Sequence, residues 1–261
     1  MHILILCNLL ELSDYSGHEN LDVLSQTHRF NDWIFEHIRP CLNGDILEIG
    51  SGIGTFSEKI IRNLSANSSI TLTDVSLKYV RELEERFLTF ANKTASNMND
   101  HSSPISVYKL DLNSKEDYEL IGYERFDSII AINVLEHVEN DEFALQQLHK
   151  MLRRDGLLVA LVPCHKFLYN ALDRQIGHFR RYTKREFESK VNKSQFTIEN
   201  LYYFNILGIV GWFLTGSLAR RTNIGGSASR VFDKIVPFSK YLERITNQKI
   251  GLSMICYLSK R

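Results

Sequence analysis

Cysteine and proline are scarce in this sequence, with four of each among 261 residues. The cysteines stand far apart, at Cys7, Cys41, Cys164 and Cys256. Because no two of them are close in the chain, we predict neither a disulfide framework nor a metal site, which suits a reducing, cytoplasmic compartment. The apolar residues 1–10 lack the cationic start and the cleavage site of a signal peptide, and we interpret them as the start of a strand or helix.

A net charge is also absent, because 31 Lys and Arg residues balance 31 Asp and Glu residues, so no overall field attracts nucleic acid. The charges are nevertheless polarised along the chain. Residues 1–173 carry 15 basic and 26 acidic side chains, whereas residues 174–261 carry 16 basic and 5 acidic ones. This asymmetry predicts an anionic partner for the C-terminal third. Alternatively, the two parts attract each other or a second subunit.

Short apolar runs alternate with helix-spaced segments along most of the chain. The runs predicted as strands are 45–49, 69–74, 105–110, 126–133, 157–162, 196–203 and 251–258. The segments predicted as helices are 21–41, 55–64, 77–90, 141–152 and 184–191. This alternation is typical of an α/β protein with a mostly parallel sheet, in which ligands bind beyond the carboxyl ends of the strands.

A glycine-rich turn follows the first predicted strand and opens a helix. It contains Glu48, Gly50, Ser51, Gly52 and Gly54. Glycines let the backbone turn sharply and bring its amides close to a ligand, and the helix N-terminus attracts an anionic group. The dinucleotide fingerprint needs a further glycine where Thr55 stands, so a nicotinamide-dependent oxidoreductase is only the second hypothesis. A non-catalytic cofactor-binding or scaffold protein is the third.

Acidic residues stand at the ends of the next two predicted strands. Asp74 ends the second strand, where a carboxylate can accept both hydroxyls of a ribose. Asp111 ends the third strand, where it can accept a proton from an adenine amino group. Each aspartate alone is also typical of a helix cap or a turn.

With this turn and these aspartates, the sequence resembles the class I S-adenosylmethionine-dependent methyltransferases. Residues 47–54 match the first motif of that family, and residues 131–138 and 152–159 match its fourth-strand segment and the turn into its fifth strand. The resemblance covers residues 29–203 and the last strand. It implies S-adenosylmethionine as cofactor, bound by Glu48, Gly50, Ser51, Gly52, Gly54, Asp74, Asp111, Leu112 and Asn133.

The same resemblance implies the architecture of the chain. A single domain over 1–261 would have a Rossmann-like, seven-stranded, mostly parallel sheet with an antiparallel last strand and helices on both faces. Residues 1–28 would form an N-terminal cap, 29–205 and 250–261 the core, and 206–249 a helical lid or interfacial insertion. No Asn/Asp-Pro-Pro-Tyr motif follows the fourth strand, which disfavours a nucleobase amine or glutamine as acceptor.

Methyl transfer to a hydroxyl requires alignment of the reactants and a base, and histidine titrates in the useful range. The segment 163–182 is dense in His, Asp, Tyr and Arg and follows the fifth predicted strand. We predict His178 as the base, with His165 and His137 as further candidates.

The candidate substrate-binding residues are Tyr169, Asp173, Arg180, Arg181, Tyr182 and Trp212. The two arginines would clamp a phosphate or carboxylate. In the alternative, the segment is a structural turn whose arginines pair with acidic neighbours. The run from Asp173 to Tyr182 resembles a subset of these methyltransferases that is associated with surface-glycan or lipid modification.

No apolar run is long enough to span a membrane once its first residues complete a strand. Residues 201–219 carry no charge, and residues 220–249 carry 7 basic and 2 acidic side chains. This pattern predicts a lid over an apolar pocket that also contacts anionic lipid at the cytoplasmic face of a membrane. The expected function is methyl transfer to oxygen on a small-molecule or lipid- or glycan-linked acceptor. The alternative for the insertion is a pair of packing helices or a dimer surface.

Overall fold

A computed structural model of the chain describes residues 18–88, 105–219, 223 and 225–261. Three parts of the sequence lie outside the described residues. They are residues 1–10, which we interpret as the start of a strand or helix, the polar residues 92–103, which we predict to form a loop, and the arginines at 220 and 221.

Seven strands form one sheet in the order β3-β2-β1-β4-β5-β7-β6. Their bounds are β1 Asp45–Ile49, β2 Ser69–Asp74, β3 Ile105–Lys109, β4 Phe126–Ile132, β5 Leu152–Pro163, β6 Thr197–Phe204 and β7 Ser253–Ser259. The strands β1 to β5 pair in parallel, and β7 is antiparallel to both of its neighbours. The predicted Rossmann-like sheet with an antiparallel last strand is therefore confirmed.

The helices follow the predicted alternation. Their bounds are α1 His18–Ser25, α2 His28–Ile38, α3 Thr55–Ile61, α4 Leu77–Leu83, α5 Lys115–Ile121, α6 Asp141–Met151, α7 Ala171–Gln175, α8 Lys184–Lys193, α9 Ile206–Trp212 and α10 Gly226–Ile245. The segment predicted as one helix at 21–41 is instead α1 and α2. It breaks because side chains of Thr27 and Asn31 donate to the carbonyl of Leu24. The sequence pattern also missed α5, which Ser114 caps by accepting from the Asp117 amide.

Apolar side chains of the strands alternate between two core clusters, one on each face of the sheet. In β1, Leu47 belongs to one cluster and Ile46 to the other. Helices α5, α6 and α8 cover the first face and α2, α3 and α10 the second, through Tyr118, Leu145 and Phe187 and through Trp33, Ile60 and Val236, respectively. The sheet thus has helices on both faces, as predicted.

The insertion between β6 and β7 is helical. It comprises α9, a π-helical turn at Phe213–Leu218, and α10. The buried Glu243 of α10 accepts the amides of Asn205 and Ile206, which ties α10 to the start of α9. Within the described part of the chain, no helix combines the length and the apolar character needed to cross a membrane.

Candidate active site

The sheet has its switch point between β1 and β4, where the strand order changes direction. In open α/β sheets, the ends of the two strands at this point open a crevice that binds ligands. Here the glycine turn follows β1, and Asn133 follows β4 with a left-handed backbone (φ 53°). The fold therefore places both matched segments at one edge of the sheet.

The glycine turn has a backbone conformation in which side chains at the glycine positions would be strained or would clash with neighbours. Gly50 and Gly52 have φ values of 65° and 52°, and a Cβ on Gly50 would come within 2.6 Å of Val134. The nearest described atom to a Cβ on Gly52, apart from its chain neighbours, would be in Leu21 of α1, at 3.6 Å. The turn also begins α3 at Gly54, whose backbone is left-handed.

Glu48 secures this turn from inside the protein. Its buried carboxylate accepts the hydroxyls of Ser51, at 3.0 Å, and Ser57, at 2.5 Å. Burial raises the pKa of Glu48 to about 7, although both hydroxyls favour the ionised form. Glu48 therefore fixes the turn through the two serines.

Asp74 and Asp111 lie at the ends of adjacent strands. The Asp74 carboxylate accepts the amides of Gly52, at 2.8 Å, and Ser76, at 2.9 Å, and burial raises its pKa. Asp111 is half-buried and accepts the Asn113 amide, and its neighbour Leu112 packs in the core. The left-handed glycines of the turn and the two carboxylates fit a cofactor with an amino-acid end, a ribose and an adenine.

His178 lies at the centre of a buried polar cluster. Its Nδ1 donates to Asp173 over 2.7 Å, and its Nε2 is 3.7 Å from a carboxylate oxygen of Glu136. The His137 ring packs edge-on against it, with 4.7 Å between ring centroids. Glu136 and His137 belong to the 3-10 turn that follows β4. The segment after β5 and the segment after β4 therefore meet at these residues.

Glu136 is the unusual member of the cluster. It is fully buried, and neither carboxylate oxygen has a hydrogen-bond partner among the described residues. Burial raises its pKa to about 7, against the attraction of His178. Burial and the neighbouring His178 lower the pKa of His137 to about 3, so that ring is neutral. The sequence prediction missed Glu136, although the Glu-His pair within the matched segment 131–138 was a signal for it.

Asp173 organises the other side of the cluster. Burial opposes its ionisation, but hydrogen bonds and charge from His178 and Arg181 outweigh this effect and lower its pKa. Arg181 donates through Nε at 2.8 Å, and the Trp212 indole donates at 3.2 Å. The guanidinium of Arg181 also stacks over the Trp212 ring, 4.5 Å from its centroid. Trp212 therefore connects the insertion to the cluster.

The other predicted substrate-binding residues have partners inside the protein. Arg180 pairs with Asp141 at 2.8 Å, and the buried Tyr182 donates to the same carboxylate. Tyr169 donates to the carbonyl of His178. Both arginines thus pair with acidic neighbours, as in the structural alternative, because this largely buried connection must satisfy its own polar groups. The role of these residues in substrate binding stays a prediction.

His165 is held apart from the other two candidate bases. Its Nε2 donates to the carbonyl of Gly251 over 2.9 Å, and its ring stacks on Tyr203. The structure therefore brings His137 and His178 together and places His165 beside the connection into β7.

The strand order, the glycine turn and the two carboxylates define the class I methyltransferase fold. Comparison with known proteins agrees, because residues 47–158 match a family model described as a methyltransferase domain. Residues 47–158 thus match a methyltransferase domain, and the fold around them is one that solved S-adenosylmethionine-dependent methyltransferases share. The nicotinamide alternative is disfavoured accordingly.

A curated relative is the probable polyketide synthase 29 of Dictyostelium discoideum, 29% identical over 155 residues, which are 53% of this chain and 5% of that protein. The chain thus spans a small fraction of the curated relatives it matches, 5% and 7% for two of them.

Solved structures share the fold. An S-adenosylmethionine-dependent methyltransferase from Mesorhizobium loti superposes with a TM-score of 0.54 at 14% identity, covering 88% of this chain and 97% of that one. The S-adenosylmethionine complex of phosphoethanolamine N-methyltransferase 2 from Haemonchus contortus gives 0.55 at 15% identity, covering 88% and 52%.

Proposed function

We propose that this protein methylates an oxygen of a lipid-linked, anionic acceptor at a membrane surface, with S-adenosylmethionine as methyl donor. The observation that supports the chemistry is the position of His178. Asp173 orients its ring, and the ring lies beside the turn after β4, at the edge of the sheet that carries the glycine turn.

Each group of residues has a distinct role in the proposed reaction. Bound S-adenosylmethionine supplies a methyl group already activated by its sulfonium. The ionised Asp173 keeps a proton on Nδ1 of His178, which leaves Nε2 free to accept the proton of an acceptor hydroxyl. Burial of the cluster excludes water, and the glycine turn and aspartates orient the donor.

The test of this chemistry compares His178→Ala and Asp173→Asn with the control His149→Ala, a histidine near the end of α6, which lies at the start of β4. Tritium transfer from labelled S-adenosylmethionine to a polyprenyl-phosphate-linked saccharide reports turnover, and calorimetry reports cofactor affinity. We expect turnover to fall about 100- to 10,000-fold in both variants, with cofactor affinity near that of the wild type. Parallel losses of turnover and affinity would make His178 a structural residue.

The membrane part of the proposal rests on exposed apolar side chains of the insertion. Eight of these side chains have at least 41% of their surface exposed: Val210, Phe213, Leu214, Leu218, Val231, Ile235, Phe238 and Ile245. An apolar groove of about 510 Å³ runs between α9 and α10. Exposed apolar patches of this kind are typical of surfaces that bind a partner or a membrane.

The charges on α10 favour an anionic membrane as that partner. Arg230, Lys234 and Arg244 are exposed. The two acidic residues of the helix face inward, since Asp233 accepts the Phe30 amide and Glu243 is buried. The exposed face therefore combines apolar and basic side chains, the pattern of a helix that lies in the interface of an anionic bilayer.

Vesicle flotation tests this surface with phosphatidylcholine vesicles, alone or mixed with phosphatidylglycerol. We expect binding to the anionic vesicles and weaker binding by Phe238→Asp and by Arg230→Glu/Lys234→Glu. Leu120→Asp, at an even more exposed apolar position on α5, is the control and should bind as the wild type does. Absent binding would remove the lipid proposal. A change of oligomeric state in Phe238→Asp instead would indicate a dimer surface.

A second candidate acceptor is a carbon next to an acyl thioester, because the curated relatives are named as probable polyketide synthases. Removing a proton from such a carbon also requires a base, and the His178 cluster offers one. An acyl-cysteamine thioester in the tritium assay separates the two candidates, since each predicts label in a different product.

A further inference from the structure

The buried cluster formed by Glu136, His137 and His178 has the residue types of a metal-binding site. Three ligand atoms, one each from Glu136, His137 and His178, lie within 4.8 Å of one another. We infer that these residues bind a divalent transition-metal ion, for which Zn²⁺ is the representative. The sequence contains no spacing that predicts this site, because His178 joins the other two only in the folded chain.

The geometry of the three atoms is close to that of a bound ion. Donors on a tetrahedral zinc ion with bonds of about 2.1 Å lie about 3.4 Å apart. Nε2 of His178 is already 3.7 Å from the nearer oxygen of Glu136. The other donor pairs lie within 4.8 Å, so binding of an ion would require the donors to approach one another by no more than about 1.4 Å.

The state of Glu136 is the independent observation that points to a cation. A fully buried carboxylate without a hydrogen-bond partner is costly in a protein interior. Buried charged groups are as a rule paired or bound to metal. A divalent ion between Glu136 and the two imidazoles supplies the missing partner.

The surroundings of His178 are those of a metal ligand. Histidines that bind metal usually donate their other ring N–H to a carboxylate, which fixes the tautomer and the ring orientation. Asp173 accepts the Nδ1 proton of His178 in this way, and Arg181 and Trp212 hold Asp173. Nε2 consequently presents its lone pair toward Glu136.

Two imidazoles and one carboxylate form a ligand set of catalytic zinc sites, which keep a further position open. The role of the ion in methyl transfer rests on the proposed function. If an ion occupied Nε2, His178 would hold the ion and would not itself act as the base that is proposed for the metal-free protein. An acceptor hydroxyl bound at the open position would have a lowered pKa.

Calorimetric titration of Zn²⁺ into the chelator-treated protein tests the site directly, and Co²⁺ absorption reports its geometry. We expect one ion per chain, with affinity at least about 100-fold weaker in Glu136→Gln and His137→Ala. Asp173→Asn should weaken binding about 10- to 100-fold, because it removes only the orienting carboxylate. His149→Ala is the matched histidine control and should bind as the wild type does.

Absence of stoichiometric Zn²⁺ binding by the folded wild type would overturn the inference, as would equal loss in His149→Ala. Should a variant fail to fold, X-ray absorption on the zinc-loaded wild type decides, since nitrogen and oxygen ligands support the site and sulfur ligands refute it. Methyl transfer that continues without zinc binding refutes the site and leaves the proposed function standing. Zinc binding without transfer to either tested acceptor refutes the function and supports the site.

Discussion

The Asp74 carboxylate links two parts of the cofactor site, because it accepts an amide from the glycine turn while it ends β2. Single side chains of this kind shape the site and are also predicted to contact the cofactor. Their contributions can be separated only by substitutions that keep one of the two roles.

Asp74→Ala is expected to weaken binding of S-adenosylmethionine about 10- to 150-fold, since a hydrogen bond to a charged group contributes about 1.5–3 kcal/mol. Asp74→Asn keeps the size of the side chain and an acceptor for Gly52, and should lose less. Calorimetry measures both affinities. Unchanged affinity in the alanine variant would refute the ribose assignment.

Glu48 predicts a pH dependence of stability. Burial raises its folded-state pKa from 4.5 to about 7. Between these values the unfolded chain releases the proton while the folded protein retains it, so the free energy of unfolding falls as pH rises through this window. Its contribution is fully present below pH 4.5 and is lost as pH rises to about 7.

Glu48→Gln has no proton to release. Its stability relative to wild type should therefore increase by about 2–3 kcal/mol between pH values below and above this window. Urea denaturation of the two proteins at several pH values measures the difference. Parallel pH profiles would show that Glu48 ionises normally.

Among the helices and strands, α9 is capped at its N-terminus by a residue of α10. Oε1 of Glu243 accepts the amides of Asn205 and Ile206, and the Asn205 side chain accepts the Gly208 amide. Trp212 and Ser217 then hold the far end of this segment against the turn that contains Asn170 and Asp173. The insertion is thus anchored at both ends, and its exposed apolar face lies between the anchors.

Glu243→Ala should lower the free energy of unfolding by about 1–3 kcal/mol, because two buried amides lose their acceptor. Arg244→Ala changes an exposed neighbour on the same helix and should have little effect. Urea denaturation measures both variants. Equal stability of the two would show that water replaces Glu243 at the start of α9.

For the whole molecule, the polarity of charge along the chain does not leave the two signs apart in the fold. Part of the opposite charge is used internally, as in the pairs of Arg180 and Lys190 with Asp141. The exposed basic residues of α10 stand beside apolar ones. Binding to a membrane would therefore combine electrostatic and apolar contributions, which respond differently to salt.

Salt should consequently weaken vesicle binding without abolishing it. Raising NaCl from about 50 mM to about 300 mM shortens the screening length and should reduce affinity for anionic vesicles several-fold. Arg230→Glu/Lys234→Glu should show a smaller salt effect than Phe238→Asp. Vesicle binding whose affinity does not change with NaCl concentration would show that only the apolar side chains contribute to it.

The sequence predicted the strands, the glycine turn and Asp74 because each is encoded by consecutive residues. A strand that runs into Gly50, Gly52 and Gly54 has a local signature, and so does an acidic residue at the end of the next strand. The split between α1 and α2 escaped prediction, since the apolar spacing continues across it while Thr27 and Asn31 bind the backbone of Leu24. The partners of Arg180 and Arg181 could not be predicted either, because Asp141 and Asp173 come into contact with these arginines only in the folded chain.

The sequence by itself determined the class of fold and the polarity of charge along the chain, because these depend on short patterns and composition. Only the tertiary structure decided which polar groups share a buried space. Glu136 and His137 follow β4, whereas Asp173 and His178 follow β5, and it is the pairing of these two strands that brings them into contact. Desolvation then shifts the pKa values of Glu136 and His137, and desolvation depends on packing that no local pattern encodes.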